Sequence, residues 1–275
     1  MTRRHELNNH QHKLSEIRNI MSSMKTLAIM ETHKLDRFIS AHENMAKNID
    51  LIASDFLQFN HNVIPPASPG TDIFCLIGSE HGFCGDFNQQ LVKTFLLQLD
   101  EDTDRQPILI SIGNKLHPLL SDQFSNLVTL SGADIAEEIF LVVENLSQKL
   151  ARYPQPASLY VLHHNHLHNQ LISERLLPPF QDTSYPSTKH QSPPLLNMEP
   201  KTFFMELIDH YLFSALHRIF YISLMIENQR RIQHLENALQ HIDSKNEELS
   251  RKINALRQEE IIEEIEVILL NASSN

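Results

Sequence analysis

The glycine-bearing segment Gly82-Phe83-Cys84-Gly85-Asp86-Phe87-Asn88 follows the apolar run Asp72 to Gly78. Such turns between a strand and a helix can cradle phosphate, because they present backbone N–H donors to an anion. This one lacks the Gly-Lys-Ser/Thr ending of a nucleotide loop and the glycine trio of a dinucleotide site. A tight strand-to-helix turn is the better reading, and no cofactor is assigned. The run His163-His164-Asn165-His166-Leu167-His168 offers imidazoles, which ligate zinc, nickel or copper. It has no accompanying cysteine or acidic cluster in a chain that holds 17 histidines, so it reads as a loop after a strand and no metal is assigned. The two cysteines, Cys75 and Cys84, are too few for a disulfide framework or a four-ligand zinc site, which makes a reducing cytoplasm the default setting. No Ser-His-Asp or Cys-His arrangement is supported by spacing, and no catalytic residue is assigned.

The elements that would carry these residues are legible from periodicity. Stepping alternately three and four places from Leu14 gives Ile17, Met21, Met24, Ala28, Glu31, Leu35, Phe38, His42, Met45, Ile49, Ile52 and Phe56, all apolar except Glu31 and His42. A repeat held this long without Pro or Gly predicts a helix of 1–62 whose seam faces a partner helix. At 1.5 Å per residue it would run on the order of 80 Å. It should stop at Asn60-His61-Asn62, before Pro65, Pro66 and the Ser68-Pro69-Gly70 turn signal.

A different pattern fills 71–180. Strands are predicted at Asp72–Gly78, Pro107–Ile112, Leu127–Leu130 and, as the last one, Ala157–His163; helices are predicted at Phe87–Leu99, Leu116–Gln123 and Ala133–Tyr153. Alternating strands and helices imply a small, mainly parallel, Rossmann-like α/β domain. Residues 181–201, with four prolines between Gln181 and Pro200, read as a linker. The remainder, 202–275, is a second long helix with a seam at Met225, Ile232, Leu235, Leu239, Ile242, Leu249, Ile253 and Leu256. The predicted fold is therefore an antiparallel coiled coil of the N- and C-terminal helices with an α/β insert between them.

Composition narrows the function. With 275 residues there is enough chain for a sizeable core, and the six glycines suit long helices better than tight β-turns. A net charge of −11 argues against a general nucleic-acid binder, which needs clustered Lys and Arg. No apolar run approaches the roughly 20 residues of a membrane span, so the expectation is a soluble or peripherally attached protein.

Motifs in these settings resemble the gamma subunit of F-type ATP synthases. In the first helix, Ile17-Arg18-Asn19-Ile20 and Met21-Ser22-Ser23-Met24-Lys25-Thr26-Leu27-Ala28 look like that family's stretch of a small residue, Met, a charged residue and an aliphatic-Ala pair. Gly78-Ser79-Glu80-His81-Gly82-Phe83-Cys84-Gly85-Asp86-Phe87-Asn88 is similar to its Ser-Asp-Arg-Gly-Leu-Cys-Gly-Gly-Leu-Asn segment, with Gly82, Cys84, Gly85 and Asn88 in register. In the last helix, Glu227, Arg231-Ile232, Leu235 and Ala238, then Asn254, Arg257-Gln258 and Glu264-Ile265, fit the closing patterns, and Leu176-Leu177-Pro178 matches a further segment. Asp86 stands where the second glycine of a pair is usual, His241 where Asn is usual, and Leu269-Leu270-Asn271-Ala272 where Gly-Ala is usual.

The resemblance implies a non-catalytic central-stalk rotor subunit, one copy per complex, inside a ring of alpha and beta subunits. It implies docking on the epsilon subunit and the membrane c-ring, at the cytoplasmic face of a bacterial inner membrane, and the transport of protons or sodium ions by the complex. Met24, Lys25, Arg257 and Gln258 are then expected to meet the catalytic ring, while Gly82, Cys84, Gly85 and Asn88 form a turn near the base of the stalk. Arg18, Arg230 and Arg231 are further cations that could face the ring. The alternative is a homo-oligomeric coiled-coil scaffold with an α/β insert, and an enzyme built on the insert ranks third. Because the Gly-Lys-Ser/Thr loop is missing, the purified chain alone is expected to hydrolyse no ATP; turnover that survives rigorous removal of contaminating ATPases would overturn this reading.

Overall fold

The computed structural model describes residues 2–64, 71–100, 107–121, 123–124, 126–153, 158–165, 170–180 and 192–273. Pro65, Pro66 and the Ser68-Pro69-Gly70 signal, residues 181–191 of the expected linker, and His166 and His168 lie outside the described residues. The elements, in chain order, are α1 (Thr2–Leu57), β1 (Asp72–Ile77), α2 (Phe87–Asp100), β2 (Ile108–Ile112), α3 (His117–Ser121), β3 (Leu127–Leu130), α4 (Ile139–Leu150), β4 (Ser158–Asn165), β5 (Gln170–Leu177) and α5 (Pro200–Ser273). Short 3-10 turns occupy His61–Val63 and Ala136–Glu138. The chain divides into two compact units, Met1–Ile29 with Arg231–Asn275, and Met30–Arg230.

In the first unit α1 and α5 run antiparallel. Gln11 Nε2 donates to Ser250 Oγ (2.7 Å), Arg18 Nε to Asp243 Oδ1 (2.6 Å) and Lys25 Nζ to Glu236 Oε1 (3.1 Å), so partner numbers fall as α1 advances. Met21, Ala28, Leu235 and Leu249 are the buried apolar side chains of this pair. The ion pairs are partly solvated, and pairs of that kind stabilise by about 0–1 kcal/mol each.

The second unit holds a five-stranded sheet in the order β3-β2-β1-β4-β5. The first four strands are parallel and β5 pairs antiparallel with β4. Because side chains alternate across a strand, the sheet has two apolar faces. Leu76, Leu109 and Leu162 pack with Leu91 and Phe95 of α2 and Leu116 and Leu120 around α3. On the opposite face Ile73, Cys75, Ile77, Ile110, Ile112 and Val161 pack with Val142 and Leu146 of α4, Ile219 and Phe220 of α5, and Leu35 and Ile39 of α1. Every residue from Ser214 to Asn228 except Arg218 is buried.

Two expectations need correction. The strand ending near His163 is not the last: β5 follows it, and its polar Gln170, Ser173, Glu174 and Arg175 hide the apolar alternation that marks a strand. The helix expected at Ala133–Tyr153 is shorter, because Asp134 and Ile135 are non-helical and the segment enters α4 through the Ala136–Glu138 3-10 turn.

In the second unit the seam of α1 also departs from a strict heptad. Leu35, Ile39, Ile49, Ala53, Phe56 and Leu57 are buried, whereas Ile52 is 47 % exposed. A straight helix drifts off a seven-residue repeat, and one packed into a globular core buries its 3.6-residue face instead. The polar seam positions each have a reason. Glu31 Oε1 accepts the Ala136 N–H (2.6 Å), and His42 stacks on His217 with ring centroids 5.4 Å apart. Burial lowers both imidazole pKa values and so favours the neutral rings that can stack. From these burials, Leu35→Ala is expected to destabilise the chain by about 2–5 kcal/mol and Ile52→Ala by about 0.5 kcal/mol, read from denaturant midpoints; equal losses would refute the placement of the seam.

Candidate functional site

The turn between β1 and α2 is closed by its own side chains. Ser79 N donates to Asn88 Oδ1 (2.9 Å), Asn88 Nδ2 returns a bond to Ser79 Oγ (2.8 Å), and Cys84 Sγ donates to the same hydroxyl (3.3 Å). All three residues are buried. Gly85 takes φ +64°, a conformation that favours glycine. A Cβ on Gly82 would meet nothing within 4 Å, so no close contact demands glycine there. The four turn residues singled out in the sequence therefore lie together, in a loop tied by the Ser79, Cys84 and Asn88 side chains.

The first turn of α2 is charged with its own anion. Asp86 Oδ1 accepts Arg230 Nη1 (2.8 Å) and Asp86 Oδ2 accepts Gln90 Nε2 (2.5 Å), while Arg230 Nη2 reaches Gln90 Oε1 (3.0 Å). A carboxylate beside a helix N-terminus is favourable and repels a second anion. Beside this turn, His164 stacks on Phe87 at 3.9 Å, and its Nε2–H donates to the Phe87 carbonyl oxygen (3.0 Å). The ring is fully buried and Nδ1 has no hydrogen-bond partner. Burial, aided by the nearby charges of Arg230 and His163, lowers its pKa to about 4.

The other described histidine of the run, His163, is structural as well. His163 Nδ1–H donates to the His164 carbonyl oxygen (2.9 Å), and Nε2 sits 3.5 Å from Glu174, which also holds Arg218 (2.5 Å). Burial pushes the Glu174 carboxyl up, but the bond to His163 and the charge of Arg218 outweigh it and leave it below the ordinary value. Among the described residues no group of three His, Cys, Asp or Glu is placed to hold a metal. Burial drives the Cys75 thiol up to about 12, which leaves it inert as a nucleophile.

One pair escaped the sequence reading. Ser111 Oγ and His117 Nδ1 lie 2.9 Å apart across the β2–α3 turn, the arrangement of a nucleophile and its base. Ser111 is 0 % exposed, so no substrate can reach it. Six residues of separation across a turn gave no signal that the two would meet.

A family model described as ATP synthase matches residues 4–274. The chain belongs to the ATP synthase gamma-subunit family. It is 20 % identical to the ATP synthase gamma chain of Clostridium botulinum (strain 657 / Type Ba4), covering 95 % of each chain. It is 21 % identical to that of Buchnera aphidicola subsp. Diuraphis noxia, covering 94 % of this chain and 93 % of the relative. The fold is similar to the rotor of the Euglena gracilis mitochondrial ATP synthase, with TM-score 0.60, 14 % identity, and 94 % of this chain and 99 % of that chain covered. A chain of the central stalk and c-ring of the Tetrahymena thermophila enzyme gives TM-score 0.57 and 18 % identity, covering 80 % of this chain and 99 % of that one.

Against the gamma pattern, the second glycine replaced by Asp86 now has an account, since its carboxylate pairs with Arg230 of α5. The cations expected to face a catalytic ring are placed unequally. Arg231 is buried at 6 % exposure, Lys25 pairs with Glu236 and Arg18 with Asp243, whereas Arg257 is exposed, as is the neutral Gln258 beside it. Met24 is half-buried. Lys25 meets α5 at Glu236, so Arg257 lies about 30 Å further along that helix and the two contact pairs are not one site. Apolar side chains also stand in solvent in this first unit, with Ile20 62 % and Leu27 65 % exposed on α1 and Ile268 65 % exposed on α5.

The neutral, buried His164 gives this gamma chain a pH dependence. Its folded pKa lies below the ordinary 6.5, so the unfolded chain binds a proton first on acidification. Stability is full above about pH 6.5 and falls by on the order of 3 kcal/mol as pH approaches 4. Melting curves between pH 7.5 and 4.5 should show His164→Gln, whose amide can still donate to Phe87, losing less stability on acidification than the wild type; parallel curves would disprove the assignment.

Proposed function

We propose that this chain is the central-stalk rotor of a proton- or sodium-translocating F-type ATP synthase, carrying rotation between the membrane rotor ring and a catalytic ring of alpha and beta subunits. The observation that supports this most is the surface of the first unit. Its helix pair buries few apolar side chains and leaves Ile17, Ile20, Leu27, Ile262, Ile265 and Leu269 in water, a distribution suited to a rod enclosed by a sleeve. Residues 1–62 and 202–275 are the shaft and 71–180 the insert in this reading. The shaft is asymmetric, so each catalytic site of the ring would face a different side of it, and rotation would exchange the states of those sites. Bond chemistry belongs to the ring and none to this chain.

Met24, Lys25, Arg257 and Gln258 are the proposed ring contacts. Lys25 can exchange Glu236 for an acidic ring residue at little cost, because a partly solvated ion pair is worth about 0–1 kcal/mol. The turn at Gly82, Cys84, Gly85 and Asn88 lies in the insert, which would dock on an epsilon subunit and the c-ring near the membrane. The complex would sit at the cytoplasmic face of a bacterial inner membrane, with this chain held there peripherally. Among the described residues no helix is long and apolar enough to cross a membrane. A homo-oligomeric scaffold is not favoured, since the family match runs through both long helices and the insert.

Co-expression with alpha and beta partners tests the reading. One copy of this chain per ring is expected, and a self-assembled oligomer without the partners would defeat it. In the same complex, Arg257→Ala with Gln258→Ala should lower ATP turnover or its coupling to ion transport while changing the stability of the isolated chain by less than about 0.5 kcal/mol. A sharp loss of melting temperature with normal turnover would instead place the pair in the packing of the helices.

A further inference from the structure

The strand order β3-β2-β1-β4-β5, with the first four strands parallel, brings the loops after β1, β2 and β3 to one edge of the sheet. In doubly wound sheets the carboxyl ends of the strands are where anionic ligands settle, held by backbone N–H groups. Here that edge is occupied from within. Glu80 leaves the loop after β1, and its Oε2 accepts the Asn114 N–H after β2 (3.1 Å) and the Gly132 N–H after β3 (2.7 Å). Its other oxygen accepts the Asn114 side-chain amide. Two main-chain donors from two loops thus converge on one oxygen, the geometry with which backbone holds a bound oxyanion.

The cradle is built at backbone contact. Gly113 has φ +106°, and a Cβ there would lie 2.7 Å from the Ser79 carbonyl oxygen; a Cβ on Gly132 would come within 3.2 Å of Glu80 Oε2. Lys115 N donates to the same Ser79 oxygen (3.1 Å) and Gly113 N to the Leu130 oxygen (2.9 Å), so the three loops are tied before the carboxylate is counted. The next amides along the edge are met in the same way, Asp134 N by Glu138 (2.9 Å) and Ala136 N by Glu31 (2.6 Å).

We propose that Glu80 is an internal ligand filling a small-oxyanion site formed by the Asn114 and Gly132 amides, and that loss of its side chain opens this site to a free carboxylate or phosphate. In the intact chain the carboxylate locks the loops together and keeps external anions out.

The test uses the full chain and two variants. Glu80→Ala is expected to melt about 5 °C below wild type, since charge-assisted bonds to two main-chain amides that tie the loops after β2 and β3 are lost. Formate or inorganic phosphate should recover at least half of that loss, while sodium chloride at equal ionic strength should not, and wild type should respond to all three salts alike. An undiminished melting point, or a loss that formate, phosphate and chloride leave equally uncorrected, overturns the proposal. Should Glu80→Ala fail to fold, Glu80→Gln decides the question through amide hydrogen exchange. Faster exchange at Asn114 and Gly132 than in wild type supports the internal ligand, and wild-type rates at both amides refute it.

Discussion

Burial of one face of the parallel sheet against the two terminal helices is the constraint on which the second unit depends. A sheet face must be covered by another layer, and α4 alone covers only part of this one. The remainder is closed by Ile219, Phe220, Ile222 and Ile226 from α5 and by Leu35 and Ile39 from α1. Residues from both long helices are thus part of the same core as the insert between them. The helix that serves this role is buried on nearly every side between Ser214 and Asn228, with Arg218 the one residue that is not buried.

The polar chemistry of the unit follows from that packing. Once the strand ends and helix starts are pressed together, the N–H groups that leave the ladders need acceptors. Carboxylates supply them: Glu80 at Asn114 and Gly132, Glu31 at Ala136, Glu138 at Asp134. The glycine turn and, from the histidine run, His163 and His164 are consumed the same way, in closing a loop and in buried imidazole contacts. What remains free for function is surface. In the first unit that surface carries exposed aliphatic side chains together with Arg257 and Gln258.

How legible the fold was depended on how strongly each element repeats. The long helices, β1 to β4 and α2 were readable because apolar residues recur at a fixed period over many turns or fill a short buried run. Strand β5 was not, because the consecutive polar residues Ser173, Glu174 and Arg175 break the apolar alternation and its identity comes from pairing with β4. The start of α4 was misplaced because Ala133 to Glu138 has the composition of a helix while Glu31 and Glu138 fix its amides in another geometry.

For the site, the sequence by itself determined which residue types lie in the turn at Gly82, Cys84, Gly85 and Asn88, that no nucleotide loop is present, and that two heptad helices bracket an α/β insert. These follow from local spacing, which the chain carries whatever its partners. Only the tertiary structure decided that Asp86 pairs with Arg230, that Lys25 is held by Glu236 while Arg257 is exposed, and that Arg231 is buried. Pairs separated by more than a hundred residues leave no periodic trace. Their partners are chosen by which faces the core forces together.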